Sequence, residues 1–252
     1  MNLSVAIITF NEERILEKTL SSVHDLADEI IIVDSFSQDR TTEICAKFPK
    51  VKLFQRKFEG FGQQKNFAIG LCSSEWILFL DADEIPDETA KNSITRTASE
   101  KKTEFLVYDI EFNNIFLGKS LQYGGWGNIK RARFFKKNFG KYSEDIVHEE
   151  FITKAKKGKL IGKINHYTYK DIYHHIEKSN KYTSMMAEKM YKNGKRSGVL
   201  KILFKPLYQF IKSYFIRLGF LDGVVGYYAA VTASFYTFLK YQKLYEIHQL
   251  KS

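Results

Sequence analysis

The run Leu80-Asp81-Ala82-Asp83-Glu84 follows Trp76-Ile-Leu-Phe-Leu80 and so places acidic residues at the end of a buried strand. Alternation along a strand sends Asp81 and Asp83 to the same side, where two carboxylates can converge on a hard divalent cation, Mn²⁺ or Mg²⁺, that bridges nucleotide phosphates. A solvated acidic loop is the plain alternative. Two other strand ends carry polar clusters. In Ile8-Thr9-Phe10-Asn11-Glu12-Glu13, Asn11 is expected to cap the following helix, its N-terminus favoured by the glutamates, and the backbone there can hold a nucleoside. In Val33-Asp34-Ser35-Phe36-Ser37-Gln38-Asp39-Arg40-Thr41, Asp34 can meet a base or ribose while Asp39 caps the next helix.

The elements that must position these groups alternate. Leu3 to Thr9, Glu29 to Asp34, Val51 to Gln55 and Trp76 to Leu80 read as strands, and Glu13 to His24, Thr41 to Phe48 and Gln63 to Cys72 as helices. This βαβαβαβ order predicts an α/β fold with a parallel sheet covered on both faces, whose ligands gather at the carboxyl ends of the strands. Thr9, Asn11, Asp34 and the acidic run all fall at that edge. A helix over 87–100 follows. Phe105 to Phe112, Ile129 to Lys136 and Lys159 to Tyr167 then read as strands between glycine-rich turns, which implies a mixed second half of the sheet. From Asp171 onward the pattern is helical.

The 252 residues suffice for one large domain or a domain with an appendage, and the charged and hydrophobic shares (27% and 44%) exclude disorder, collagen and a polytopic membrane protein. Cys45 and Cys72 are too few for a disulfide framework or a four-cysteine zinc site. Leu3 to Phe10 has no basic region before it, so no secretory signal is read there, and a cytoplasmic location is expected. Charge is unevenly placed. Residues 1–169 hold 25 Lys and Arg against 24 Asp and Glu, whereas residues 170–252 hold 14 against 5. The basic tail therefore suits an anionic surface. Over Leu200 to Arg217, Lys201, Lys205, Gln209, Lys212 and Arg217 form one polar stripe on an otherwise apolar helix, the composition of an interfacial helix. Gly223 to Leu239 is free of charge for 17 residues, short for a bilayer span, so lying on the membrane or packing on the protein is expected rather than crossing.

The ordered segments I-T-F-N-E-E, V-D-S-F-S-Q-D-R-T, G-Q-Q-K-N-F-A-I and W-I-L-F-L-D-A-D-E resemble the family 2 inverting glycosyltransferases of GT-A fold. Val147-His148-Glu149, Lys205-Pro206-Leu207 and Leu218-Gly-Phe-Leu-Asp-Gly223 are similar to the bacterial lipopolysaccharide core β-1,4-glucosyltransferase group. The resemblance implies a GT-A catalytic domain over 1–169 and a basic, aromatic-rich, membrane-associating helical region over 170–252. It implies a UDP-sugar donor, with Thr9, Asn11, Glu12, Asp34, Lys65, Asn66 and Asp81 at the nucleotide, and a metal on Asp83 and Asp81, with His166 a third ligand or a structural histidine. Inverting transfer needs one carboxylate to take the acceptor proton. The wider family's E-D pair nominates Asp145 and the closer group's V-H-E nominates Glu149, which is preferred; His148 braces the loop or acts. Trp126, in Gly124-Gly-Trp-Gly127, stacks on an acceptor sugar or anchors a turn, and Arg131 and Arg133 meet acceptor phosphates or solvent.

The implied reaction moves a hexose, glucose from UDP-glucose, onto a lipid-linked bacterial glycan such as the lipopolysaccharide inner core. The implied place is the cytoplasmic face of the inner membrane, as a peripheral protein. Another envelope glycan or a protein acceptor is the enzymatic alternative, and a basic nucleic-acid-binding module is the non-enzymatic one; no nucleic-acid partner is expected.

Overall fold

A computed structural model describes residues 2–144 and 149–250. The first part runs β1 (Leu3–Thr9), α1 (Leu16–Val23), β2 (Glu29–Asp34), α2 (Thr41–Ala46), β3 (Val51–Gln55), α3 (Phe61–Leu71) and β4 (Trp76–Asp81). It continues through β5 (Glu84–Pro86), α4 (Glu88–Ser99), β6 (Val107–Phe116), β7 (Lys119–Leu121), β8 (Ile129–Lys136), β9 (Lys141–Tyr142), β10 (Phe151–Ile152) and β11 (Lys157–His166). Helices α5 (Ile172–Lys192), α6 (Val199–Ile211) and α7 (Gly223–Leu250) complete the chain. Two compact units result: residues 1–112 with 129–166, and residues 113–128 with 167–252. The hairpin segment 113–128, placed by sequence with the catalytic region, thus groups with the helices.

In the first unit the sheet order is β3-β2-β1-β4-β8-β6-β11-β5, parallel from β3 to β4 and antiparallel at β4·β8, β6·β8 and β11·β5. The parallel half has no polar face because both sides are covered. Leu3, Val5 and Ile7 of β1, Ile30 and Ile32 of β2 and Leu78 of β4 pack with Leu16, Leu20 and Ile44 of α1 and α2. The alternate residues Ala6, Ile31, Ile77 and Phe79 pack with Ala68 and Ile69 of α3. Period-two alternation thus fills two cores from one set of strands. The α/β class, the parallel first half and the mixed second half are as the sequence implies. β5 was not anticipated: three residues beginning at Glu84, the last of the acidic run, pair with β11 and align His166 with Glu84.

The second unit holds the hairpin of β6 and β7, joined through Asn114–Phe116 and Lys119–Leu121, and the three long helices. Phe116, Trp126, Tyr169, His175 and Tyr228 form one aromatic cluster, with Tyr169 and His175 stacked at 4.2 Å. Burial there pushes the His175 imidazole down to about 4, so it packs as a neutral ring whose Nδ1 lies 2.9 Å from the Tyr228 hydroxyl. Lys243 of α7 ties to α5 through Asn180, Thr183 and Ser184. No single helix among the described residues is long and apolar enough to cross a membrane, and the pair spanning 199–216 and 219–250 is bent by 70°.

Glu29, at the amino end of β2, fastens the sheet edge opposite the polar clusters. Its carboxylate accepts from Ser4 Oγ (2.6 Å) and from Ser73 N and Oγ (2.6 and 2.8 Å), and pairs with Lys52 Nζ (2.7 Å). Burial opposes the charge, yet these partners outweigh it and hold the carboxyl at about 2 rather than 4.5. A folded pKa below the unfolded one contributes stability that is complete above about pH 4.5 and is lost as pH falls toward 2. Glu29→Gln should therefore cost about 2–3 kcal/mol at pH 7 and much less at pH 3 in urea melts.

Candidate active site

Strand register gathers the polar clusters at one sheet edge. Thr9 pairs with Asp34, and Ile8 with Asp81, so the ends of β1, β2 and β4 lie side by side. The two loops leaving β1 and β2 are sewn together by hydrogen bonds. Thr9 Oγ1 donates to Asp34 Oδ1 (3.0 Å), the Asn11 amide to Ser37 Oγ (2.9 Å), the Glu12 amide to Thr41 Oγ1 (2.9 Å), and the Glu13 amide to Asp39 Oδ2 (3.1 Å). Asp34 is fully buried and also takes the Ser37 amide (2.9 Å). Asn11 does not cap α1. It sits at φ 56°, and its Oδ1 accepts the Gln38 amide (2.8 Å), because the side chain bridges two loops instead of turning back on its own helix. Arg40 is the cap position of α2, and Asp39, one residue earlier, accepts the amide of Thr41, the first residue of the helix (3.0 Å). Phe10 and Phe36, 53% and 48% exposed on these loops, escaped the sequence reading; Phe36 stands at φ 62°, and an exposed aromatic held in a left-handed conformation is the kind of local strain that marks binding loops.

Beneath that edge lies a buried ionic network. Lys65, on α3, is 2% exposed, which removes the reading of a surface lysine. Its Nζ lies 3.0 Å from Asp81 Oδ1 and 2.7 Å from Glu149 Oε1. Arg133, on β8, is 1% exposed; its Nη2 reaches Asp81 Oδ2 (2.8 Å) and Glu84 Oε1 (2.5 Å), and its Nη1 donates to the Tyr142 hydroxyl (3.0 Å). The expectation of a solvated or acceptor-facing Arg133 is corrected: the register shift that pairs Tyr108 with Phe134 and Asp109 with Ala132 leaves Arg133 as the extra residue of a bulge, out of step with the exposed Arg131, and buried. Burial would raise the Asp81 carboxyl, but Lys65 and Arg133 hold it well below the usual carboxylate range. Burial likewise opposes the charge on Lys65, and Asp81 more than restores it.

The segment carrying Glu149 is anchored from α3. Asn66 Nδ2 donates to the Tyr142 carbonyl and its Oδ1 accepts the Tyr142 amide, both at 2.8 Å, so the carboxamide expected at a nucleotide instead clamps β9. One turn earlier, a Cβ on Gly62 would stand 1.7 Å from the Ser143 carbonyl oxygen, so only glycine permits this approach. Asp145 and His148 lie outside the described residues.

Asp83 turns to a different partner from Asp81: its Oδ1 is 3.5 Å from His166 Nε2. Burial would lower the His166 pKa, and the Asp83 carboxylate raises it. Among the described residues no group of three His, Cys, Asp or Glu forms a ready cation cage, and both Asp81 oxygens are engaged by cations. Asp81, expected at the metal as well as at the ribose, is held here by Lys65 and Arg133. Asp83 and His166 remain, an oxygen and a nitrogen donor suited to Mn²⁺, and hard cations that keep one or two protein ligands beside substrate phosphates need no larger cage. Arg131 lies outside the network, its guanidinium 5.3 Å over the Phe112 ring. Trp126 belongs to the second unit, where Phe116, Tyr169 and His175 surround it.

A parallel-sheet edge with this acidic run and a buried lysine beside it is a candidate active site of an α/β enzyme, and sequence comparison supplies its class. The model of glycosyl transferase family 2 matches residues 4–153, and the chain belongs to that family. It is 31% identical over 263 residues to the glycosyltransferase RT0209 of Rickettsia typhi, covering 99% of this chain and 88% of that protein. It is 28% identical over 256 residues to the lipopolysaccharide core biosynthesis glycosyltransferase LpsC of Rhizobium meliloti, covering 99% and 94%. Residues 1–349 of S. aureus TarS, in complex with UDP, superpose at a TM-score of 0.49 and 14% identity, covering 100% and 92%. The protein is a family 2 glycosyltransferase.

Arg133→Met leaves Asp81 and Glu84 facing each other without their shared cation, so a loss of about 3–5 kcal/mol is expected in urea unfolding. Arg133→Lys should recover part of it, because one ammonium cannot reproduce the forked contact to three partners.

Proposed function

We propose that this glycosyltransferase inverts the anomeric centre of a UDP-hexose, glucose from UDP-glucose, and transfers the sugar to a lipid-linked envelope glycan such as the lipopolysaccharide inner core. The observation that carries the reading is Lys65, which joins Asp81, at the donor edge, to Glu149, so that an acceptor-side carboxylate stands one lysine away from the donor-side one. The likeness to LpsC supports the acceptor class. The loops after β1 and β2, with Thr9, Asn11, Glu12 and Asp34, hold the nucleoside, Phe10 and Phe36 offer it aromatic faces, and Asp81 faces the ribose. Asp83 and His166 would hold a divalent cation, which would supply charge neutralisation at the diphosphate leaving group. Glu149 takes the acceptor proton as the hydroxyl attacks opposite the leaving group, and the α-linked donor sugar becomes β-linked. The work is done at the cytoplasmic face of an anionic inner membrane, where the basic helical region holds the protein as a peripheral one.

A nucleotide-sugar hydrolysis screen with and without Mn²⁺ tests the donor without needing the acceptor. UDP-glucose should be hydrolysed fastest, and full activity in EDTA would remove the metal. Asp83→Ala should abolish metal-dependent UDP binding with the fold intact. Glu149→Gln should leave donor affinity in place while transfer falls by about 10² to 10⁴. If Asp145→Asn alone were inactive and Glu149→Gln were not, Asp145 would be the base.

A further inference from the structure

We infer that the bend formed by residues 199–224 is a bilayer-insertion elbow, which seats its exposed apolar side chains among the acyl chains of one leaflet of an anionic membrane. The inference deepens the membrane partner proposed above and rests on that reading. It assigns the contact to the elbow and excludes the charge-free stretch of α7 as a span.

Among the described residues, more than half of the exposed large apolar side chains fall between Val199 and Phe238. Leu200, Leu203 and Leu207 recur along α6 at 71%, 60% and 55% exposure, and past the bend Ile216, Leu221 and Val224 follow at 65%, 52% and 84%. What α6 turns inward is Pro206, whose carbonyl accepts Ser234 Oγ of α7 (2.8 Å). The helix therefore shows solvent the face that an ordinary amphipathic helix would bury. Between α6 and α7 an open groove of about 450 Å³ continues this face, lined by Ile202, Phe210, Val231 and Phe235 among others, with Ser234 as its only hydroxyl.

The bend is built to hold its shape. Lys212–Ile216 form a π turn, Leu218 adopts φ 57°, and Gly219–Asp222 a 3₁₀ turn. Asp222, 5% exposed, accepts the amides of Gln122 (3.3 Å) and Tyr123 (2.9 Å), and its carbonyl accepts Lys119 Nζ (2.6 Å). The Arg217 carbonyl accepts the Gly124 amide (2.8 Å). A Cβ on Gly226 would stand 2.0 Å from the Gly219 carbonyl oxygen, so α7 starts in contact with the turn. The apolar tip is thus presented by a fixed scaffold.

Charge selects the occupant. Within the elbow, residues 199–224, the sequence has four Lys and Arg (Lys201, Lys205, Lys212 and Arg217) and one acid, the buried Asp222. Cations around an apolar tip match anionic headgroups around acyl chains. A second copy of the chain is disfavoured, since a symmetric interface would set two uncompensated cationic rims against each other, and interface cores are depleted in lysine.

The test uses the full chain with one environment-sensitive fluorophore on Leu207→Cys, Leu221→Cys or, as the control, Gln242→Cys. Cys45 and Cys72 are 1% exposed, and burial pushes both thiols up to about 12, so the introduced thiol reacts first. With vesicles of phosphatidylcholine and phosphatidylglycerol, the labels at 207 and 221 should shift to the blue and be quenched by chain-attached nitroxides, and the label at 242 should not. The combined Lys201→Glu, Lys205→Glu and Arg217→Glu variant should bind these vesicles on the order of 10²-fold more weakly. Labels that shift equally on neutral vesicles, that shift nowhere, or that bury without vesicles as a dimer forms in sedimentation would each overturn the elbow. UDP-glucose hydrolysis by the same labelled proteins reports separately on the transferase reading, so either can fail alone.

Discussion

Arg133 and Lys65 are the two cations on which the rest of the site depends. Each is nearly without solvent contact, and between them they reach Asp81, Glu84, Glu149 and the Tyr142 hydroxyl. A buried ion costs several kcal/mol in desolvation unless its partners are well placed, so the network is a constraint before it is a source of stability. It obliges β8 to turn Arg133 inward beneath the end of β4, and α3 to lay Lys65 across the same end. The cationic pair holds the Asp81 carboxyl well below the usual carboxylate range against the effect of burial. Asp83, two residues on, is left to face His166. Two neighbouring acids so acquire different chemistry from their surroundings, although the sequence presents them as equivalent.

The sheet supplies the rest of the geometry at low cost. Parallel strands in register end together, so Thr9, Asp34 and Asp81 are neighbours by construction. Once the strands align, the loops after β1 and β2 satisfy each other's amides through Asp34, Ser37, Asp39 and Thr41. That mutual satisfaction explains why Asn11 serves as a bridge and not as a helix cap. It also explains how Asn11 and Phe36 keep positive φ values, since the surrounding bonds hold the backbone there.

Much of this was legible in the sequence, and the boundary of legibility has a physical cause. The alternation of strands and helices and the position of the polar clusters follow from periodicity and from the ends of apolar runs, which are local. Lys65 and Glu149 were named for the site from the resemblance, but their 2.7 Å contact joins residues 84 positions apart, and no local pattern records it. Arg133 looked like one of two alternating charges on a strand. Only its burial separates it from Arg131, and that follows from the register shift opposite Tyr108 and Asp109, which no local pattern records. Asn66 was placed at a nucleotide because of its neighbour in the motif, yet its side chain matches the two backbone groups of Tyr142. Trp126 was read as stacking on an acceptor sugar or anchoring a turn, and the structure packs it among Phe116, Tyr169 and His175 in the unit that contains the helices.

The tail shows how the same composition can be resolved by packing. A polar stripe on an apolar helix predicts only that one side differs from the other. In the structure the buried side of α6 is narrow, centred on Pro206, whose carbonyl accepts the Ser234 hydroxyl of α7. The wide remainder of the apolar surface is consequently left outward. The motif around Leu218 to Gly223 then acquires a reason: the left-handed Leu218, the buried Asp222 and the close-packed Gly219 and Gly226 stop α6 and α7 from straightening into one long helix. The bend of 70° between residues 199–216 and 219–250 thus keeps the two apolar helices from forming one continuous segment.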